Sequence, residues 1–214
     1  MACSARATAP EWVPEAFEKV GAMFPSTPAA VAALAVARRF CSPALLNHSI
    51  RSYLWGAMYG QAHGIAFDDE LYYVSSLLHD FGLTEAFDSH TVPFEEAGGQ
   101  LAWTFGLGAG WSEERAERAA EIIVLHMRDD ISATLDAESH LLQVATSWDV
   151  SGWRPEEFPA EERAAILAHY PRLGFGAEVL AAFEDQAGRK PHSAAADSVR
   201  GGIAGRIAAN PLDT

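Results

Sequence analysis

Basic residues are scarce in this 214-residue chain: 15 Lys and Arg stand against 29 Asp and Glu, a net charge of −14. That balance disfavours nucleic acid or an anionic membrane as partner, because both reward basic surfaces. The deficit is also local, since no Lys or Arg lies between Arg51 and Arg115. A site gripping a di- or triphosphate would usually spend basic side chains in such a stretch. Cysteine is almost absent, and Cys3 and Cys41 cannot make a disulfide framework. Apolar runs such as PAAVAALAV fall short of the roughly 20 residues that span a bilayer. The opening MACSARATAPEW lacks the apolar core of a signal peptide. A cytoplasmic, reduced, soluble protein is expected.

Alternating Val/Ile/Thr runs of strand type are scarce too, and what remains is helical. Ser42 and Pro43 open one helix that Gly64 stops; Asp68 opens another expected to run to Gly82, with His79 and Asp80 in its last turn. Further helices are expected from Phe94 to about Phe105, from Ser112 with His126 near its end, and from Asp136 with Asp149 just past its last turn. AEERAAILAHY, FGAEVLAAFEDQ and DSVRGGIAGRIAAN complete the set. The expectation is one all-α domain over residues 1–214, an irregular helical bundle, with an N-terminal extension at 1–25, a core at about 40–155 and C-terminal helices at 156–214.

His79 and Asp80 end the apolar run VSSLL, where neither residue type belongs without a partner. His48, His126 and Asp149 also fall near expected helix ends. Imidazole nitrogens mixed with carboxylate oxygens suit zinc, iron or manganese. A bound metal would stabilise Asp80 as an anion and hold His79 neutral. Ordinary alternatives exist for each residue: a dipole-favoured histidine at a helix C-terminus, a satisfied core histidine at position 48, a loop cap at position 149. His126 is open between a functional role, as a pocket residue or a fifth ligand, and a plain histidine at a helix C-terminus.

The order of these residues, His48, then His79–Asp80 31 residues on, then Asp149 after 69 more, resembles the metal-dependent HD-domain superfamily. Within it, NHSIRSYLWG, LLHDFGLT and VPFEEAGG resemble the cyanamide hydratase-like group. The resemblance spans about residues 40–155. It implies an all-α fold of the HD-domain type and one divalent metal per chain held by His48, His79, Asp80 and Asp149. Zinc is the first choice, with Fe2+ or Mn2+ as alternatives. It also implies a lyase activity, hydration of the nitrile of cyanamide to urea. Gly82, Leu83 and Thr84 follow the pair where many HD phosphohydrolases carry Lys or Glu. His90, His126 and His140 are too few for a convincing second metal site.

A metal would bring the pKa of bound water toward about 7, so hydroxide would be available to attack the nitrile carbon. His126 has the intrinsic pKa to shuttle a proton, and Asp80 would orient the water. Phe81, Thr84 and Trp148, beside the ligands in sequence, are candidate substrate contacts, as are Glu96 and His90. A small neutral substrate is expected. The alternatives are phosphohydrolase action on a nucleoside monophosphate or similar ester gripped by Arg51 and Arg128, hydration of another small nitrile or isonitrile, and a non-catalytic sensor. Self-association into a homo-oligomer, through the Ala-rich N-terminal helix and exposed aromatics, is a further expectation.

Overall fold

The structure, a computed structural model, describes residues 24–129 and 131–213. Most of the expected N-terminal extension therefore lies outside the described residues. Among the described residues ten α-helices follow one another: α1 (Pro28–Phe40), α2 (Pro43–His63), α3 (Asp69–Leu78), α4 (Phe94–Gly108), α5 (Glu113–Leu125), α6 (Ala137–Ser151), α7 (Ala160–His169), α8 (Phe175–Arg189), α9 (Ala194–Arg200) and α10 (Ile203–Ala208). Among the described residues there is no strand, and no helix long and apolar enough to cross a membrane.

Local chemistry sets the helix starts. The side chains of Thr27, Ser42, Asp68, Ser112 and Asp136 each accept an amide hydrogen bond from the first turn they precede. Each such cap is worth about 1 kcal/mol. Gly64 (φ 66°) and Gly152 (φ 67°) end α2 and α6 in the left-handed conformation that glycine adopts without penalty.

Helix α2 is the axis of the molecule. It is buried on nearly every side, which is why its sequence shows little amphipathic periodicity. Helices α3 and α6 pack along it, and α4 and α5 form an antiparallel pair on α3. The alanine face of α1 (Ala30, Ala33, Ala37) is buried in the main core. A second apolar cluster joins Leu45 of α2 and Phe94 of α4 to Phe175, Val179 and Phe183 of α8 and Ile203 and Ile207 of α10. The C-terminal helices thus close over the start of α2, where His48 lies.

Three expected boundaries change. Helix α3 stops at Leu78, so His79 caps it and Asp80 sits in the turn before a short 3-10 segment, Phe81–Leu83. Asp149 lies within α6 rather than beyond it. The last expected helix is broken at Gly201 and Gly202 into α9 and α10.

The turn after Asp80 is pressed against the start of α4. A Cβ on Gly82 would lie 2.1 Å from the Phe94 carbonyl oxygen and 2.8 Å from its Cα. Backbone on both sides leaves no side chain to yield. Gly82→Ala is expected to destabilise the protein by about 3 kcal/mol, the upper range for overpacking, read as a lower denaturation midpoint. A loss below about 0.5 kcal/mol would show that the two segments separate freely.

Candidate metal centre

Four side chains from three regions of the chain meet beneath the C-terminal helices. His48 comes from the second turn of α2, His79 and Asp80 from the end of α3, and His126 from the cap of α5. All four are almost wholly buried. His48 Nε2 lies 3.1 Å from His79 Nε2 and 3.4 Å from Asp80 Oδ2; His79 Nε2 lies 3.2 Å from the same oxygen. His126 Nε2 is 4.0 Å from Asp80 Oδ1.

The partners of the other ring nitrogens fix what these atoms offer. His79 Nδ1 lies 2.8 Å from the Ser76 carbonyl oxygen, and His126 Nδ1 meets the Ile123 carbonyl. A carbonyl only accepts, so both Nδ1 atoms carry the proton. His48 Nδ1 lies 2.7 Å from Asp149 Oδ2, an ionised carboxylate that also only accepts. In its neutral form each ring presents an Nε2 lone pair inward, toward a carboxylate. Lone pairs and an anion gathered in a buried place repel one another unless a cation, a bound metal or a shared proton, joins them.

A divalent metal fits this set. Ligands about 2.0–2.1 Å from a tetrahedral centre lie about 3.3 Å apart, close to the three separations among His48, His79 and Asp80. Among the described residues these three form the group whose ligand atoms come within 4.8 Å of one another. Both imidazoles have the outer hydrogen bond that orients metal-binding histidines.

Asp149 stands behind His48. Its Oδ1 accepts from Arg51 Nε and Trp55 Nε1, each at 2.8 Å; its Oδ2 accepts from Arg51 Nη2 and His48 Nδ1, each at 2.7 Å. Arg172 Nη1 and Asn210 Nδ2 hold its backbone carbonyl at 2.6 and 2.9 Å. The structure places this carboxylate against Nδ1 of the His48 ring, away from His79 and Asp80 at Nε2, where it clamps the imidazole. Phe175 stacks on the His48 ring with centroids 4.1 Å apart.

Burial alone would raise the Asp149 carboxyl pKa, but the Arg51 charge and hydrogen bonds, with those of His48, bring it well below the ordinary value. Asp80 behaves alike: burial opposes, and the charge of His79 and the hydrogen bond of His48 prevail, so its pKa is well lowered. Burial also works against a charged His48, yet bonds to Asp149 and Asp80 raise its pKa overall. His126 has less compensation. Burial, then the neighbouring His79, lowers its pKa to about 4, and it is neutral at pH 7.

His48, His79, Asp80 and His126 line a cavity of about 550 Å³ to which α6 contributes Gln143, Thr146 and Ser147 among others. The five expected substrate contacts do not line it. Trp148 is buried against Phe158, Phe81 packs on Phe87, and the Thr84 hydroxyl is bonded to the Phe81 carbonyl. Glu96 lies in a separate groove between α4 and α5, and His90 is in an exposed loop. Arg51, expected as a phosphate grip, is fully buried and spent on Asp149. The sequence does not single out Arg172 and Phe175; an Arg and an aromatic flanking Gly174 are too common a pattern to mark them.

The chain is similar to two proteins of Saccharomyces cerevisiae (strain S288c), cyanamide hydratase DDI2 and cyanamide hydratase DDI3. It is 28% identical to each over 153 residues, covering 69% of this chain and 67% of the relative. No family model matches the chain.

Proposed function

We propose that the protein is a metal-dependent hydratase that adds water to the nitrile of cyanamide to give urea. The observation that carries this reading is the convergence of His48 Nε2, His79 Nε2 and the Asp80 carboxylate at the edge of one cavity, with His126 Nε2 standing behind Asp80, in a chain similar to proteins named for that reaction. His48, His79 and Asp80 would hold the metal. Asp149 would either orient His48, the contact present here, or give up that contact to serve as a fourth ligand. Zinc heads the candidates, and iron(II) and manganese(II) share the same donor preference.

When bound, such a cation supplies Lewis-acid polarisation of the nitrile and a lowered pKa for water. The chain's own residues do the rest. His126, neutral and with Nδ1 tied to Ile123, offers Nε2 as acceptor for the proton leaving the attacking water. Asp80 Oδ1, facing Nε2, helps hold that water. One water adds across the carbon–nitrogen triple bond. The nitrile carbon gains the oxygen, its nitrogen gains the protons, and tautomerisation leaves urea with no other product. His126 thus begins as base and returns the proton as acid.

The test is urea production from cyanamide by purified protein whose metal content has been counted. Catalytic turnover with about one metal per chain is expected. Phosphate release from nucleoside monophosphates, with cyanamide untouched by the metal-replete protein, would replace this reading with the phosphohydrolase one.

A further inference from the structure

The cavity is far larger than cyanamide requires. Three non-hydrogen atoms displace on the order of two or three waters, about 30 Å³ each, against about 550 Å³ of cavity. Its outer wall also departs from the rest of this acidic molecule. Arg128 follows the cap of α5, Arg154 follows α6, and Arg206 lies on α10, yet all three reach the same mouth.

Most arginines elsewhere are paired: Arg51, Arg115, Arg118, Arg172, Arg189 and Arg200 each meet a carboxylate. Among the described residues, Arg128, Arg154 and Arg206 have no ion-pair partner. Arg206 Nη1 donates to the Gly201 carbonyl at 2.6 Å, which orients the guanidinium without neutralising it. Arg154 lies over the Trp153 ring at 4.1 Å, which leaves its N–H edge free. Its backbone takes a left-handed conformation (φ 54°, ψ 58°) that a non-glycine residue holds only under constraint. Against these three cations the wall offers, among the described residues, one outer carboxylate, Asp129.

We propose that this mouth is an anion subsite and that the preferred substrate is a cyanamide carrying a carboxylate on its other nitrogen, an N-cyano-amino acid. The proposal rests on the hydratase reading for its reacting end. The nitrile reaches the candidate metal ligands, the uncharged Gln143, Thr146 and Ser147 flank the middle, and the carboxylate meets the arginines. Water adds across the nitrile alone: its oxygen bonds to the nitrile carbon, its two hydrogens end on the former nitrile nitrogen, and the N–R bond is untouched. The product is an N-carbamoyl-amino acid.

Calorimetry on the metal-loaded protein tests this with N-carbamoylglycine and its uncharged isostere N-carbamoylglycinamide. The acid is expected to bind on the order of tenfold more tightly, the sum of several solvent-exposed charge contacts. That ratio should fall toward one as salt rises and in the triple variant Arg128→Gln, Arg154→Gln, Arg206→Gln. N-cyanoglycinate should likewise exceed cyanamide in kcat/KM about tenfold. Equal binding of acid and amide by the wild type would overturn the subsite, whatever the cyanamide assay returns. Arginine-dependent binding of the acid, without hydration of either nitrile, would uphold the subsite and overturn the hydratase reading. Preference for cyanamide over N-cyanoglycinate would overturn the substrate assignment.

Discussion

Asp149→Ala is expected to lower stability by about 3–5 kcal/mol, the range for breaking a buried ion pair by removing one partner. Arg51 is wholly buried and its Nε and Nη2 both donate to this carboxylate, while Nη1 is held by the Tyr170 and Pro171 carbonyls. Truncation leaves that cation in place without its counter-charge, and strands Trp55 Nε1 and His48 Nδ1 as well. Arg51→Ala should cost a similar amount for the converse reason. Combining Arg51→Met with Asp149→Leu removes both charges while keeping volume, so the double variant should lose at least about 2 kcal/mol less than the two single losses added together. Denaturation midpoints at unchanged m-value measure all three. Single variants within about 1 kcal/mol of wild type would show that water reaches the pair.

The same pair sets an acid limit. The folded Asp149 carboxyl titrates well below its unfolded value of about 3.9, so its contribution is complete above that value and is lost as pH falls toward the folded one. His48 carries the opposite sign. Its pKa is raised, so its contribution is complete below about 6.5 and disappears as pH rises through the folded value.

Helix starts were legible in the sequence because a cap is a local event: Ser42, Asp68, Ser112 and Asp136 sit beside the amides they bind. The histidines and Asp80 were legible because an ionisable group in an apolar stretch demands a partner, and the partners proved to be each other. Asp149's true surroundings were not. Arg51 lies 98 residues away, and only the packing of α6 on α2 brings them together. The expected substrate contacts lie away from the cavity, and for Trp148 the reason is geometric. Residues adjacent on a helix point about 100° apart, so Trp148 turns away from His48, which Asp149 faces, and enters the core against Phe158. The wall came instead from residues a turn apart on α6, Gln143, Thr146 and Ser147, whose polar character had no meaning until the helix was placed.

His79→Ala and His126→Ala are expected to separate metal binding from proton transfer, and the separation has the largest effect on activity of any substitution here. His79 supplies one of three atoms at mutual distances that match a metal's ligand shell. Its loss should leave less than stoichiometric metal and no measurable urea. His126 Nε2 stands further back, 4.0 Å from Asp80 Oδ1, with its ring fixed by Ile123. Its variant should retain one metal per chain while kcat falls about 10²–10⁴-fold, the usual worth of a positioned acid–base group. The pH profile adds a second readout: with a pKa of about 4, His126 is already neutral across the range where the enzyme would work, so wild-type kcat should not fall as pH drops from about 8 to about 6 on its account. Metal loss in His126→Ala would move this residue into the ligand set. The proton would then have to pass through Asp80 alone, whose Oδ1 lies 4.0 Å from His126 Nε2.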